Sequence, residues 1–100
     1  MYQVTITSTF ASDSDCDMFI MVLRQQWPTF IDKLPGAALR ILRSEKDRNV
    51  MKASWTLQSK EQADEMKAIG DEIIIPYRNK LMPKSICFEG ALLATVSKDD

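Results

Sequence analysis

Apolar residues recur along this chain every second residue, then every three to four, then every second residue again, and the cycle runs twice. This doubled strand-helix-strand order constrains the fold more than any other feature. Alternate residues share one face of a strand, whereas residues three and four apart share one face of a helix. Tyr2, Val4, Ile6 and Phe10 alternate with Gln3, Thr5, Thr7 and Thr9, which gives a strand with one apolar and one threonine-rich face. Asp13 and Ser14 offer an N-cap, and Phe19, Val22, Leu23, Trp27, Phe30, Ile31 and Leu34 follow at helical spacing. Pro28 has no N–H and crowds the carbonyl of Arg24, which predicts a kink or break at that point. Leu34-Pro35-Gly36 then stops the helix.

The second cycle begins with a strand over 37–42, with Ala37, Leu39 and Ile41 on one side and Ala38, Arg40 and Leu42 on the other. Glu45 to Asn49 form a polar hairpin connection, and Val50 to Leu57 return as a third strand with Met51, Ala53, Trp55 and Leu57 on one face. Ser59 and Gln62 make a capping box, followed by the buried stripe Ala63, Met66, Ile69, Ile73 and Tyr77. Gly70 interrupts this helix at about 1 kcal/mol relative to alanine. Pro76 should act on it as Pro28 acts on the first helix, and Leu81-Met82-Pro83 repeats the earlier stop. A last strand over 85–97 places Ile86, Phe88, Gly90, Leu92, Ala94 and Val96 on one face, and residues 98–100 read as a solvated tail after a single domain over 1–97.

Two such units interleaved in one sheet give the ferredoxin-like βαββαβ arrangement, an α+β fold with a four-stranded antiparallel sheet and two helices on one face. The helix-facing set is expected to be Val4, Ile6, Leu39, Ile41, Met51, Ala53, Trp55, Phe88 and Leu92. The other face then mixes Thr5, Thr7, Arg40, Leu42, Lys52, Ser54, Thr56, Glu89, Ala91 and Leu93, a surface that a second copy of the same sheet would cover. Covering it forces Arg40, Lys52 and Glu89 to pair, because an unpaired buried charge costs several kcal/mol. Those three residues form either an ion-pair network at a dimer face or a polar ligand site inside a barrel.

One hundred residues bury roughly 65% of the surface of the unfolded chain, enough for a modest core. With 13 basic and 14 acidic residues the charge is −1, which gives no electrostatic reason to expect nucleic acid or an anionic membrane as partner. The longest apolar run, Met18 to Leu23, is far short of the about 20 residues of a membrane span, and no signal-peptide pattern opens the chain. Cys16 and Cys87 have no metal-type spacing and read as free thiols in a reducing cytoplasm. Asp13, Asp15 and Asp17 imitate the start of a calcium loop but lack its glycine and distant glutamate, so they read as helix-capping residues. RNA-recognition domains share the same element order, yet their third strand exposes aromatics, whereas here Val50, Lys52 and Ser54 face outward and Trp55 inward. The chain has no histidine, nucleophile-histidine pair, metal cluster or phosphate loop, so no cofactor is called for.

The segment Ala53-Ser54-Trp55-Thr56-Leu57-Gln58-Ser59-Lys60-Glu61-Gln62-Ala63, in which a strand ends in an aromatic residue before a serine-glutamate helix start, resembles the dimeric α+β barrel superfamily, notably its antibiotic-biosynthesis-monooxygenase-like domains. The Leu34-Pro35-Gly36 turn is similar too. The resemblance implies a homodimer whose two sheets close into a barrel, with a pocket in each subunit between sheet and helices. It also makes Trp55 the one candidate for a catalytic role, beside its plainer reading as a core aromatic. Some relatives oxidise polycyclic phenols without metal or flavin; the haem-degrading branch uses a histidine and an asparagine that this chain lacks at the matching places.

The expected protein is thus a cytoplasmic homodimer with a pocket bordered by Phe19, Met51, Trp55, Met66, Tyr77 and Phe88, able to hold a small apolar or aromatic molecule. Tyr77 and Arg78 end the second helix as a half-buried phenol and a C-terminal cation, or as lining of the pocket mouth. Two other functions fit the same residues: a cofactor-independent monooxygenase acting on phenols or quinones, and a purely structural or regulatory dimer.

Overall fold

The computed structural model describes residues 1–98. Strand β1 (Tyr2–Thr9) leads to helix α1 (Asp13–Phe30) and a short 3-10 turn (Ile31–Lys33); β2 (Ala38–Arg43) and β3 (Val50–Leu57) form the hairpin. Helices α2 (Lys60–Ile73) and α3 (Ile75–Leu81) precede β4 (Lys84–Ala91). The four strands form one antiparallel sheet in the order β2-β3-β1-β4, so the first strand is central and the last lies at an edge.

Local chemistry sets the boundaries. Ser12, rather than Asp13 or Ser14, caps α1: its Oγ accepts from the Asp15 N–H at 3.1 Å, leaving Asp13 and Asp15 in the first turn near the positive end of the dipole. Pro28 does not break α1, which runs two residues past it before tightening into the 3-10 turn. Pro76 has the larger effect. The helix expected over 60–81 divides at Ile74, and Pro76 sits in the first turn of α3, where its missing N–H leaves no bond unmade. Ser59 caps α2 through the Gln62 N–H, while the Gln62 side chain accepts from the Gln58 N–H and donates to the Pro35 carbonyl, tying the helix start to the turn before β2. Gly36 in that turn has φ +78°, a conformation that side chains disfavour.

The core between sheet and helices is built from Val4, Phe10, Phe19, Val22, Leu23, Trp27, Leu34, Met51, Ala53, Trp55, Leu57, Ala63, Met66 and Ile74, all buried. Each large side chain placed there contributes about 1.5–3 kcal/mol by leaving water. Val4 lies opposite Trp55, and Ile6 opposite Ala53, as the alternation requires.

The register of the last strand differs from expectation. Val4 pairs with Glu89, Ile6 with Cys87 and Ser8 with Ser85, so the row facing the helix side is Ser85, Cys87 and Glu89. Phe88 pairs with Thr5 on the open face, 69% exposed, beside Ile86 at 75%. The reason is position: β4 is an edge strand, and the side chains that reach it from the helices are the long cations Lys67 and Arg78. The strand ends at Ala91, and residues 92–97 take no strand conformation, so Leu92 is not a core residue. Of the expected tail, Lys98 is exposed and residues 99–100 lie outside the described residues.

Candidate functional site

The two tryptophans meet between sheet and helices. Trp27 of α1 and Trp55 of β3 pack edge to face, with ring centroids 4.6 Å apart and planes at 75°, the geometry that sets the positive edge of one ring on the negative face of the other. Beside them lies a cavity of about 130 Å³. Ile6, Ala53 and Trp55 line it from the sheet, Leu23 and Trp27 from α1, and Met66, Gly70 and Ile74 from the segment 66–74. Its charged groups are Lys67, Asp71 and Arg78.

Gly70 helps to keep this space open. A Cβ added there would meet only the Trp27 ring, at 3.7 Å, which is ordinary contact distance. The residue is therefore not glycine because its backbone or its neighbours demand it, and the side chain it lacks is volume the cavity keeps.

Arg78 enters from α3 and is half-buried. Its Nη1 donates to Ser8 Oγ at 3.2 Å and to Ser85 Oγ at 2.8 Å, and the two serine hydroxyls lie 3.0 Å apart. The guanidinium carbon sits 4.8 Å from the centre of the Phe19 ring, within cation–π range. Among the described residues no carboxylate pairs with it. Burial pushes the Arg78 pKa down, opposed by the neighbouring Cys87, but a guanidinium starts high enough to stay charged at neutral pH. Ile6, Ile75 and Arg78 also border a wider hollow lined by Met82, Pro83, Ser85 and Cys87.

Lys67 is held from outside the cavity. It forms an ion pair with Glu89, which also accepts from the Tyr2 hydroxyl at 3.0 Å. The Lys67 hydrogen bond, then that of Tyr2, draws the Glu89 carboxyl below the usual range, and Glu89 in turn raises Lys67. Tyr2 is raised by desolvation and then by Glu89.

The residues expected at a pocket separate into three groups. Trp55 and Met66 line the cavity. Phe19 and Met51 are buried in the core and do not reach it, with Phe19 serving as the platform under Arg78; Tyr77 packs half-buried against the core. Phe88 is on the other face of the sheet, for the register reason above. The polar network of Arg40, Lys52 and Glu89 does not form, because Arg40 and Lys52 lie exposed on the open face while Glu89 points to the helix side and takes Lys67. Trp27 and Gly70 were missed as cavity groups, whereas Arg78, for which a place at the pocket mouth was one of two readings, does line the cavity. One signal for Arg78 was present: Ser8 occupies an inward position of β1, and a buried hydroxyl requires a partner. Asp13 and Asp15 stay at the helix start while Asp17 pairs with Arg43, and no cluster of three candidate metal ligands occurs among the described residues. Cys16 is buried, which raises its pKa, with Asp17 and Asp13 adding to the effect and Arg43 opposing it, whereas Cys87 is exposed. Among the described residues no helix is long and apolar enough to cross a membrane.

No protein-family model and no curated protein matches the chain. Solved structures do. A dimeric ferredoxin-like protein from an uncultured marine organism superposes with a TM-score of 0.76 over 98% of this chain and 100% of its own, at 18% identity. A cofactor-independent oxygenase from Streptomyces nogalater gives 0.67 over 97% of both chains at 13% identity. A monooxygenase of Streptomyces coelicolor, solved with nanaomycin D, gives 0.65 over 94% of this chain and 92% of its own at 17% identity. The chain therefore has the ferredoxin-like α+β fold of antibiotic-biosynthesis-monooxygenase-like proteins.

Proposed function

We propose that the protein is a homodimer whose subunits each bind a small aromatic molecule in the cavity beside Trp27 and Trp55. The carrying observation is the cavity itself: apolar and aromatic for most of its lining, with one guanidinium that meets no carboxylate among the described residues, the composition of a ligand site rather than of a packing fault. Its volume favours a small ligand. Cavities of about 150 Å³ hold one benzene ring, whereas drug-sized ligands need about 300 Å³ or more. At about 130 Å³ the site suits a single ring, smaller than the polycyclic phenols that the resemblance implies for some relatives. Arg78 supplies a fixed positive charge for an oxygen substituent on that ring.

Self-association is supported by the open sheet face, where Phe88, Ile86 and Leu42 are exposed, and by the dimeric protein of the same fold. Calorimetric titration with phenol, benzyl alcohol and benzoate tests the ligand reading: saturable binding of at least one ring is expected, and none with folded protein overturns it. Sedimentation at micromolar concentration tests the dimer, which F88D should dissociate; a monomeric wild type removes that part of the reading.

A second reading, cofactor-independent oxygenation of a phenol, is favoured by one feature. A cation beside an aromatic pocket stabilises phenolate over phenol, and phenolate is the electron-rich form that reacts with oxygen. The oxygenase of the same fold supports it. Oxygen uptake that depends on both the protein and a single-ring phenol is the expected sign; binding without uptake leaves the protein a ligand carrier.

A further inference from the structure

The hydrogen bonds of Arg78 are divided unevenly over its guanidinium. Nη1 spends both of its protons on Ser8 Oγ and Ser85 Oγ, and the ring of Phe19 supports the guanidinium plane. Among the described residues Nη2 and Nε donate to no protein acceptor, which leaves three of the five N–H groups of the fork uncommitted. An arginine whose side chain rotated freely would present its charge without direction. One gripped at a single nitrogen presents a planar edge of donors, and such an edge fits the two oxygens of a planar anion better than one neutral oxygen.

The grip is built into the sheet. Ser8 and Ser85 are cross-strand partners on β1 and β4, and their hydroxyls are bonded to each other before either meets the arginine. Ser8 is fully buried, so its side chain has no water to turn to, while Ser85 is on the exposed edge strand. Neither hydroxyl belongs to the cavity lining. Together they fix the distance between α3 and the sheet at Arg78, the cation of the cavity that has no carboxylate partner among the described residues.

We propose that Ser8 and Ser85 are positioning residues that hold the Arg78 guanidinium with its free edge available to the cavity, and that they thereby make the site selective for a ring bearing a carboxylate over the same ring bearing a neutral hydroxyl. This rests on the ring-binding reading above. The serines need not touch the ligand; they act through Arg78.

The test compares benzoate with benzyl alcohol, measured by calorimetric titration of the full chain at pH 7, for wild type, S85A and S85T. Ser85 is chosen because it is exposed, so that loss of its hydroxyl opens no buried cavity and leaves Ser8 its bond to Arg78. Wild type should bind benzoate at least tenfold more tightly than benzyl alcohol. S85A should reduce that ratio about fivefold or more by weakening benzoate alone, and S85T, which keeps a hydroxyl, should restore it. A general structural role would lower both affinities together, and that result overturns the inference. Equal affinity of wild type for the two rings also overturns it, while leaving the ring-binding reading intact. Failure of wild type to bind either ring overturns both.

Discussion

Replacing Gly70 by alanine should stabilise this protein, against the usual direction of mutations near a candidate site. Gly70 lies inside α2, four residues before Ile74, whose N–H bonds to the Gly70 carbonyl at 2.8 Å. Its φ is helical, so no left-handed conformation is lost on adding a Cβ, and the new methyl would rest on Trp27 at 3.7 Å. Glycine in a helix interior is less favourable than alanine by about 1 kcal/mol. The methyl adds up to about 0.8 kcal/mol where it is buried against the indole. For a domain of this length each kcal/mol raises Tm by about 4–8 °C. A rise of at least about 4 °C in G70A, followed by circular dichroism or calorimetry, is therefore expected, together with weaker ring binding because the methyl takes space from the cavity. An unchanged or lower Tm would refute the reasoning, since it would mean that no room exists between Gly70 and Trp27.

Further outcomes follow from particular residues. Glu89 is depressed chiefly by Lys67, so its stabilising contribution is complete above the ordinary carboxylate pKa of about 4.3 and is lost as pH falls through the lower folded value; E89Q should flatten the acid limb of urea midpoints measured from pH 7 to 3. Lys67 is raised, so its share is present below the ordinary lysine value and lost as pH rises through the folded one, and E89Q should remove that alkaline loss as well. Met82 closes α3 in the left-handed region at φ 50° and is exposed, so M82G should add about 1 kcal/mol of stability in a denaturant titration. Iodoacetamide should label Cys87 in the native protein and Cys16 only on unfolding; early labelling of both would contradict the burial of Cys16.

The fold was legible where one side of an element met the core along its whole length. Strands β1 and β3 are flanked on both sides, their inward rows are apolar apart from Ser8, and alternation placed Val4, Met51, Ala53, Trp55 and Leu57 correctly. The same rule misplaced β4 by one residue. At the sheet edge the apolar row Ile86 and Phe88 turns outward, and the polar row is satisfied from the helix side by Arg78 and Lys67. With that register the anticipated pairing of Glu89 with Arg40 and Lys52 could not form. Period-3.6 spacing runs through α2 and α3 because both present their apolar residues to one sheet, and the interruption expected from Pro76 divides them at Ile74. The cavity depends on how Trp27 and Trp55 tilt against each other and on the missing side chain of Gly70, which no spacing pattern records. Trp55 and Met66 lie beside it because both are on inward faces; the helix-end position of Arg78 leaves two readings open, terminal cation or mouth lining, and only its bond to the inward Ser8 decides between them.

The central claim is that a ring enters the space between Trp27, Trp55 and Gly70. The chain contains only these two tryptophans, so a nitrogen-proton correlation spectrum shows two indole N–H signals, and titration with benzoate or phenol reads the cavity directly. Both signals should shift saturably with one apparent affinity in the wild type and stay unmoved in G70L, whose side chain fills the space. Signals that do not move in the folded wild type, or that move equally in G70L, would contradict the claim.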